Sequence, residues 1–170
     1  MEFYNGNLYF LDTNNSQVWR YRSSGDGYAD APEPYFTEGT KVNISSVIDS
    51  GVDGNVWLLH PNGTVLKYFN GAQEAFALDI IDPPIGNAVT MWVNEAEGPD
   101  GRLYLGDAAT DRILVFDKLG KLLSQLTPVD HAGSLKDMRS IYVDENTNYL
   151  YIVTDTAVYQ TPLPTIANAG

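Results

Sequence analysis

The chain has 170 residues, 44% hydrophobic and 12% aromatic, and its 22 acidic against 10 basic side chains leave a net charge of −12. That length can bury a core within one domain, and a pI near 4.3 sets the surface against phosphate backbones and anionic lipid, so neither nucleic acid nor a membrane surface is an expected partner. The absence of cysteine excludes disulfides and thiolate chemistry, and no apolar run approaches the ~20 residues of a membrane span.

One sentence is written four times along the chain. "NGNLYFLDTNNSQVWRYRS" begins at Asn5, "DGNVWLLHPNGTVLKYFNG" at Asp53 and "DGRLYLGDAATDRILVFDKLGK" at Asp100, followed by the weaker "NTNYLYIVTDTAVYQTP" from Asn146. The first apolar residues after the turns, Leu8, Val56, Leu103 and Leu150, are spaced 48, 47 and 47 apart. The following runs open at Val18, Val65, Ile113 and Val158, spaced 47, 48 and 45. Two landmarks sharing one period of 40 to 50 residues, with short β-type runs between Gly-containing turns, indicate propeller blades. The runs "LYFL", "VWLL", "LYLG" and "YLYIV" are apolar throughout, as expected for sheets covered on both faces.

Taken in chain order, each blade should contain strands A to D. "MEFYNGN" has neither a basic n-region nor an apolar h-region and does not read as a signal peptide. Gly6 aligns with Gly54, which puts Met1 level with Asp49, so the first blade is expected to lack strand A. Strands A of the later blades are expected at 43–49, 87–94 and 137–144. Strands D are expected at 34–38, 74–80 and 121–127. Asn-Gly in "Pro61-Asn62-Gly63-Thr64" should supply positive φ angles to a hairpin. The last blade should end after strand C, because Pro162 and Pro164 lack N–H donors. The expectation is therefore an all-β protein: a β-propeller of about four blades, two of them incomplete, belonging to a six-bladed ring. The blades are 1–40, 41–81, 86–128 and 137–161, and 165–170 is a tail. Such a piece calls for completion by upstream blades or by self-association.

The third unit resembles the NHL-type repeat, with Gly before strand B, Asp107 at its end, and Arg112 and Ile113 opening strand C. Asp12, Gln17 and Val18 follow the same form, whereas the second unit departs at His60. "VWRY" with "VLKYF" also resembles the C-terminal part of sensor propellers appended to bacterial PPM-type phosphatases or Ser/Thr kinases. That resemblance implies a non-catalytic binding or sensor module for a protein, peptide or carbohydrate, extracytoplasmic if its parent is membrane-anchored.

Candidate chemistry is sparse. Asp12 and Asp107 read as turn formers whose carboxylates accept backbone N–H bonds. The acidic loops at Asn94, Glu95, Glu97 and Asp100, at Asp144, Glu145 and Asn146, and at Asp26 and Asp30 lack calcium-loop spacing and read as solvated. His60 and His131 cannot assemble a structural zinc site, and Asp130, His131 and Ser134 in one loop do not make a triad. Trp19, Trp57 and Trp92 read as packing between blades. Of the Asn-x-Ser/Thr acceptor patterns at Asn14, Asn43 and Asn62, the last is committed to a turn. Ligands of propellers gather at the tunnel mouth, which should hold Asn43, His60, Asn87, Arg112, Asp137 and Arg139, with Arg139 either free or paired to Asp137. The alternative function is a calcium-dependent hydrolase of the gluconolactonase kind, with Asn87 and Asp137 in equivalent registers as metal ligands.

Overall fold

The computed structural model describes residues 1–25, 27–129 and 135–166. Its fifteen strands form four antiparallel meanders. Blade 1 comprises β1 (Glu2–Tyr4), β2 (Asn7–Asp12), β3 (Gln17–Tyr21) and β4 (Glu33–Pro34). Blade 2 comprises β5 (Asp49–Val52), β6 (Asn55–Leu59), β7 (Val65–Phe69) and β8 (Ala72–Glu74). Blade 3 comprises β9 (Ala88–Val93), β10 (Leu103–Asp107), β11 (Arg112–Phe116) and β12 (Leu122–Leu126). Blade 4 comprises β13 (Met138–Asp144), β14 (Tyr149–Thr154) and β15 (Val158–Pro162), without a fourth strand among the described residues. The first strands β1, β5, β9 and β13 lie against one another in succession, so strand A is innermost. Only two single 3-10 turns, Gly98–Asp100 and Ala108–Thr110, interrupt the β structure of the described residues.

Four expectations need correction. Blade 1 does possess strand A: Glu2, Phe3 and Tyr4 pair with Tyr9, Leu8 and Asn7, across a turn in which Asn5 and Gly6 have φ of 46° and 77°. Strand A of blade 2 is Asp49–Val52 rather than 43–49, because Ile44 and Val47 turn into the core instead of extending along a sheet. Strands D of the first two blades are shorter than 34–38 and 74–80. Phe36 leaves the edge of blade 1 to pack on Tyr68, and Asp79 leaves blade 2 to exchange hydrogen bonds with Gly120 and Leu122 of blade 3. At the 61–64 hairpin only Gly63 has positive φ, at 82°, while Asn62 caps the turn by accepting the Thr64 N–H.

The core lies between blades. Tyr9 and Val18 of blade 1 meet Val56, Leu58 and Tyr68 of blade 2; Trp57, Leu59 and Val65 on the other face of blade 2 meet Leu103, Leu105, Leu114 and Phe116 of blade 3. Tyr104, Ile113 and Val115 then meet Ile141, Val143, Leu150 and Ile152 of blade 4. The period of 2 in a strand sends alternate side chains to opposite neighbours, and both sets are apolar because each middle blade has two neighbours. Burying each such side chain is worth about 1.5–3 kcal/mol.

Polar bonds stitch the same interfaces. On the A-to-B turn side, the Lys118 ammonium pairs with Asp53, whose Oδ1 also accepts Trp57 Nε1–H at 2.9 Å, and it donates to the Asn94 carbonyl at 2.6 Å. Asn94 is buried and donates from Nδ2 to Glu145 Oε1 at 2.7 Å and to the Asp100 carbonyl at 2.8 Å. Glu95, Glu97 and Asp100 of this loop are exposed, as expected, and Asn94 alone turns inward as a blade-to-blade tie.

Candidate functional site

The four A strands enclose a central cavity of about 560 Å³, lined by Glu2, Asp49, Trp92, Ser140 and Tyr142 among others. Asp49 spans two blades: Oδ2 accepts Thr90 Oγ1–H at 2.9 Å and Met91 N–H at 2.8 Å, while Oδ1 accepts the Ser50 N–H at 2.9 Å. Burial, followed by the like charge of Asp49, pushes the Glu2 carboxyl up to about 7 against the opposing pull of the N-terminal ammonium. Trp92 stands in edge contact with Tyr104 and Tyr142, so of the three tryptophans it is the one facing the tunnel; Trp57 is wholly buried between blades. Glu2, Asp49 and Trp92 escaped the rim expectation because that expectation took connections and hairpins as the lining, whereas the inner strands supply it.

The expected rim residues separate into three groups. Arg112 is buried and fully committed: its guanidinium donates to Asp107, to Gln125 Oε1 at 2.8 Å and to the carbonyls of Pro83 at 2.7 Å and Pro84 at 3.1 Å. It holds the connection between blades 2 and 3 and is not available to a ligand. Arg139 is exposed and clamps Asp155, not Asp137, with Nε–Oδ1 at 2.5 Å and a second bond at 2.9 Å. The β-bulge between Met138 and Ser140 reaims Arg139 toward the next hairpin.

Asn87 and Asp137 form the second group. Both are exposed at the openings of β9 and β13, held by backbone bonds from Ala108 N–H to Asn87 and from Asp155 N–H to Asp137. By register the corresponding position before β5 is Ser46, three residues ahead of Asp49 as Asn87 is of Thr90, and the Ile48 N–H bonds the Leu59 carbonyl. On blade 2 the counterpart is thus a serine hydroxyl, held 2.9 Å from His60 Nδ1.

His60 and Asn43 form the third group and share a separate cleft with Ser46, away from the central cavity. His60 Nδ1 lies 2.9 Å from Ser46 Oγ, and burial pushes its pKa down, keeping the ring neutral at pH 7. Asp107 holds the same place in blade 3 and does the same work. It is wholly buried and accepts from Asn87 N–H at 2.9 Å, Gly86 N–H at 3.2 Å and Thr110 Oγ1–H at 2.5 Å. Burial raises its pKa, but these donors and Arg112 outweigh it and hold the carboxyl below its ordinary value. In both blades the residue at the strand B end of the B-to-C hairpin fastens the preceding blade connection. Asp12 instead forms the expected local turn, accepting from Asn15 N–H at 3.0 Å and Trp19 Nε1–H at 3.1 Å. Among the described residues no three His, Asp or Glu side chains converge on a metal position. Asp26 and the set Asp130, His131 and Ser134 lie outside the described residues.

No protein-family profile and no curated protein matches the sequence. Solved structures do match. A streptogramin B lyase aligns with a TM-score of 0.53 at 15% identity, over 94% of this chain and 52% of its own. The fold is a β-propeller. A gluconolactonase of Xanthomonas campestris aligns with a TM-score of 0.56 at 15% identity, over 87% of this chain and 44% of its own. The propeller described here therefore spans about half the length of these structures, and at such identity the likeness concerns the fold alone.

The outer faces of blades 1 and 4 are open. By register, Phe3, Leu8, Phe10, Trp19 and Tyr21 share one of them, and Phe3 and Phe10 are exposed. Tyr142, Tyr149, Tyr151, Val153 and Val158 share the other. These are the positions that, on the middle blades, carry the inter-blade core.

Proposed function

We propose that the chain is a non-catalytic interaction module that engages further propeller blades, a second copy or a peptide through its open blade faces. One observation carries this reading: of the rim cations, Arg112 is spent tying blades 2 and 3 and Arg139 is paired with Asp155 of its own blade, while aromatic faces of core-like composition stand uncovered. Exposed apolar patches of this kind mark association surfaces. Analytical ultracentrifugation of the 170-residue chain tests it. Association at micromolar concentration that is weakened by Tyr151→Ser or Phe10→Ser is expected; a monodisperse monomer with sharp thermal unfolding, indifferent to both substitutions, contradicts it.

A second reading, a calcium-dependent lactonase-like hydrolase, draws on Asn87 and Asp137 at adjacent strand openings and on the gluconolactonase among the similar folds. Calcium takes six to eight oxygens, and the strand openings offer these two side chains and the Ser46 hydroxyl, which is engaged with His60. That set does not make a calcium cage. Calorimetric titration with calcium discriminates: tight binding abolished by Asp137→Ala would favour the hydrolase.

A further inference from the structure

Blade 2 carries a second cleft of about 560 Å³, walled by the 41–46 connection on one side and by β7 and β8 on the other. Tyr68 lines it, wholly buried, with its Oη lacking any hydrogen-bond partner. Buried hydroxyls in folded proteins nearly always have a partner, and leaving one without costs about 1–3 kcal/mol. His60 lines the same cleft, nearly buried; Ser46 fixes its Nδ1, and no described residue bonds its Nε2. Gln73 and Asn43 add exposed amides. The charge here is also out of character. Not one of the chain's 22 carboxylates lines the cleft, whereas Lys41 does, and Lys41 is in no ion pair among the described residues. A pocket combining one ammonium, a neutral imidazole, amides and an unsatisfied hydroxyl suits a ligand with a single negative charge and several hydroxyls.

We propose that this cleft binds a small sugar acid, with Lys41 meeting the carboxylate while His60, Gln73 and Tyr68 meet hydroxyl groups. The site is independent of whatever covers the open blade faces. Amide NMR titration of the full chain with glucuronate, and with glucose as its uncharged match, tests the assignment. Glucuronate should shift resonances of 41–46, 60–64 and 73. Since a partly exposed ion pair is worth up to about 1 kcal/mol, glucose should bind about fivefold more weakly, and Lys41→Ala should cost glucuronate the same factor. Tyr68→Phe should weaken glucuronate binding without lowering the melting temperature, separating a ligand role from a structural one. The proposal is overturned if glucuronate shifts nothing in the cleft, if glucose binds equally well, or if Lys41→Ala leaves the dissociation constant unchanged.

Discussion

Replacing Asp107 by alanine probes the tie between blades 2 and 3. The substitution strips the carboxylate from Arg112, a residue only 2% exposed, and frees the N–H groups of Gly86 and Asn87. Stranding a buried charge costs about 3–5 kcal/mol. Arg112 keeps three other acceptors, on Gln125, Pro83 and Pro84, and the exposed Gly86 and Asn87 can turn to water, so the expected loss is at the low end, about 3 kcal/mol. Urea unfolding followed by tryptophan fluorescence measures it. In the double variant Asp107→Ala/Arg112→Met the stranded charge disappears, so the two losses should fall short of additive by about 1–2 kcal/mol. Because the Asp107 pKa is depressed, its contribution is present above the unfolded value of 3.8 and is lost as pH falls through the folded value. The gap between the native protein and Asp107→Ala should therefore close in acid. A loss under about 1 kcal/mol, strictly additive costs, or a gap that widens in acid would each refute the account.

Asp12→Ala removes the corresponding motif residue from a local turn only, and thermal scans should show a far smaller shift than for Asp107→Ala. Glu2 carries the opposite sign of linkage. Its folded pKa of about 7 lies above 4.5, so the stability it contributes is complete below pH 4.5 and is lost as pH rises through 7. Glu2→Gln should then match the native protein at pH 4 and exceed it at pH 8. Its side chain is 34% exposed, which cuts the gain seen in denaturant melts to about 1 kcal/mol. Gly120→Ala would drive a Cβ to 2.1 Å from the Ala77 carbonyl oxygen at a φ of 93°, and chemical denaturation should register a loss above about 2 kcal/mol.

The blades were legible because their signal is local and repeated. Runs such as Val56–Leu59 and Leu103–Gly106 are apolar at every position, and the turn residues beside them recur on one period. Strand β1 was missed because a single stretch of "EFY" carries little pattern of its own; its strand character comes from pairing with Asn7–Tyr9. The rim was misjudged for a related reason. Nothing near Arg112 in the sequence announces Pro83 and Pro84, nor does anything near Arg139 announce Asp155. Long side chains are claimed by whichever acceptor the fold brings close, and that is a tertiary fact. The Asp107 turn was foreseen as a carboxylate accepting backbone N–H bonds, but those N–H groups belong to the preceding connection rather than to its own hairpin.

Because the apolar cores among the described residues join consecutive blades, resistance to local opening should vary along the chain like tension in a row of linked panels. Blade 3 is sheltered on both faces, and each residue of β10 and β11 is buried. Blade 4 is sheltered on one face and ends in β15, whose five residues are all exposed. Deuterium should therefore enter the amides of β15 first and those of β10 and β11 last, and a protease should trim the molecule inward from its C-terminal blade rather than cut it at the centre.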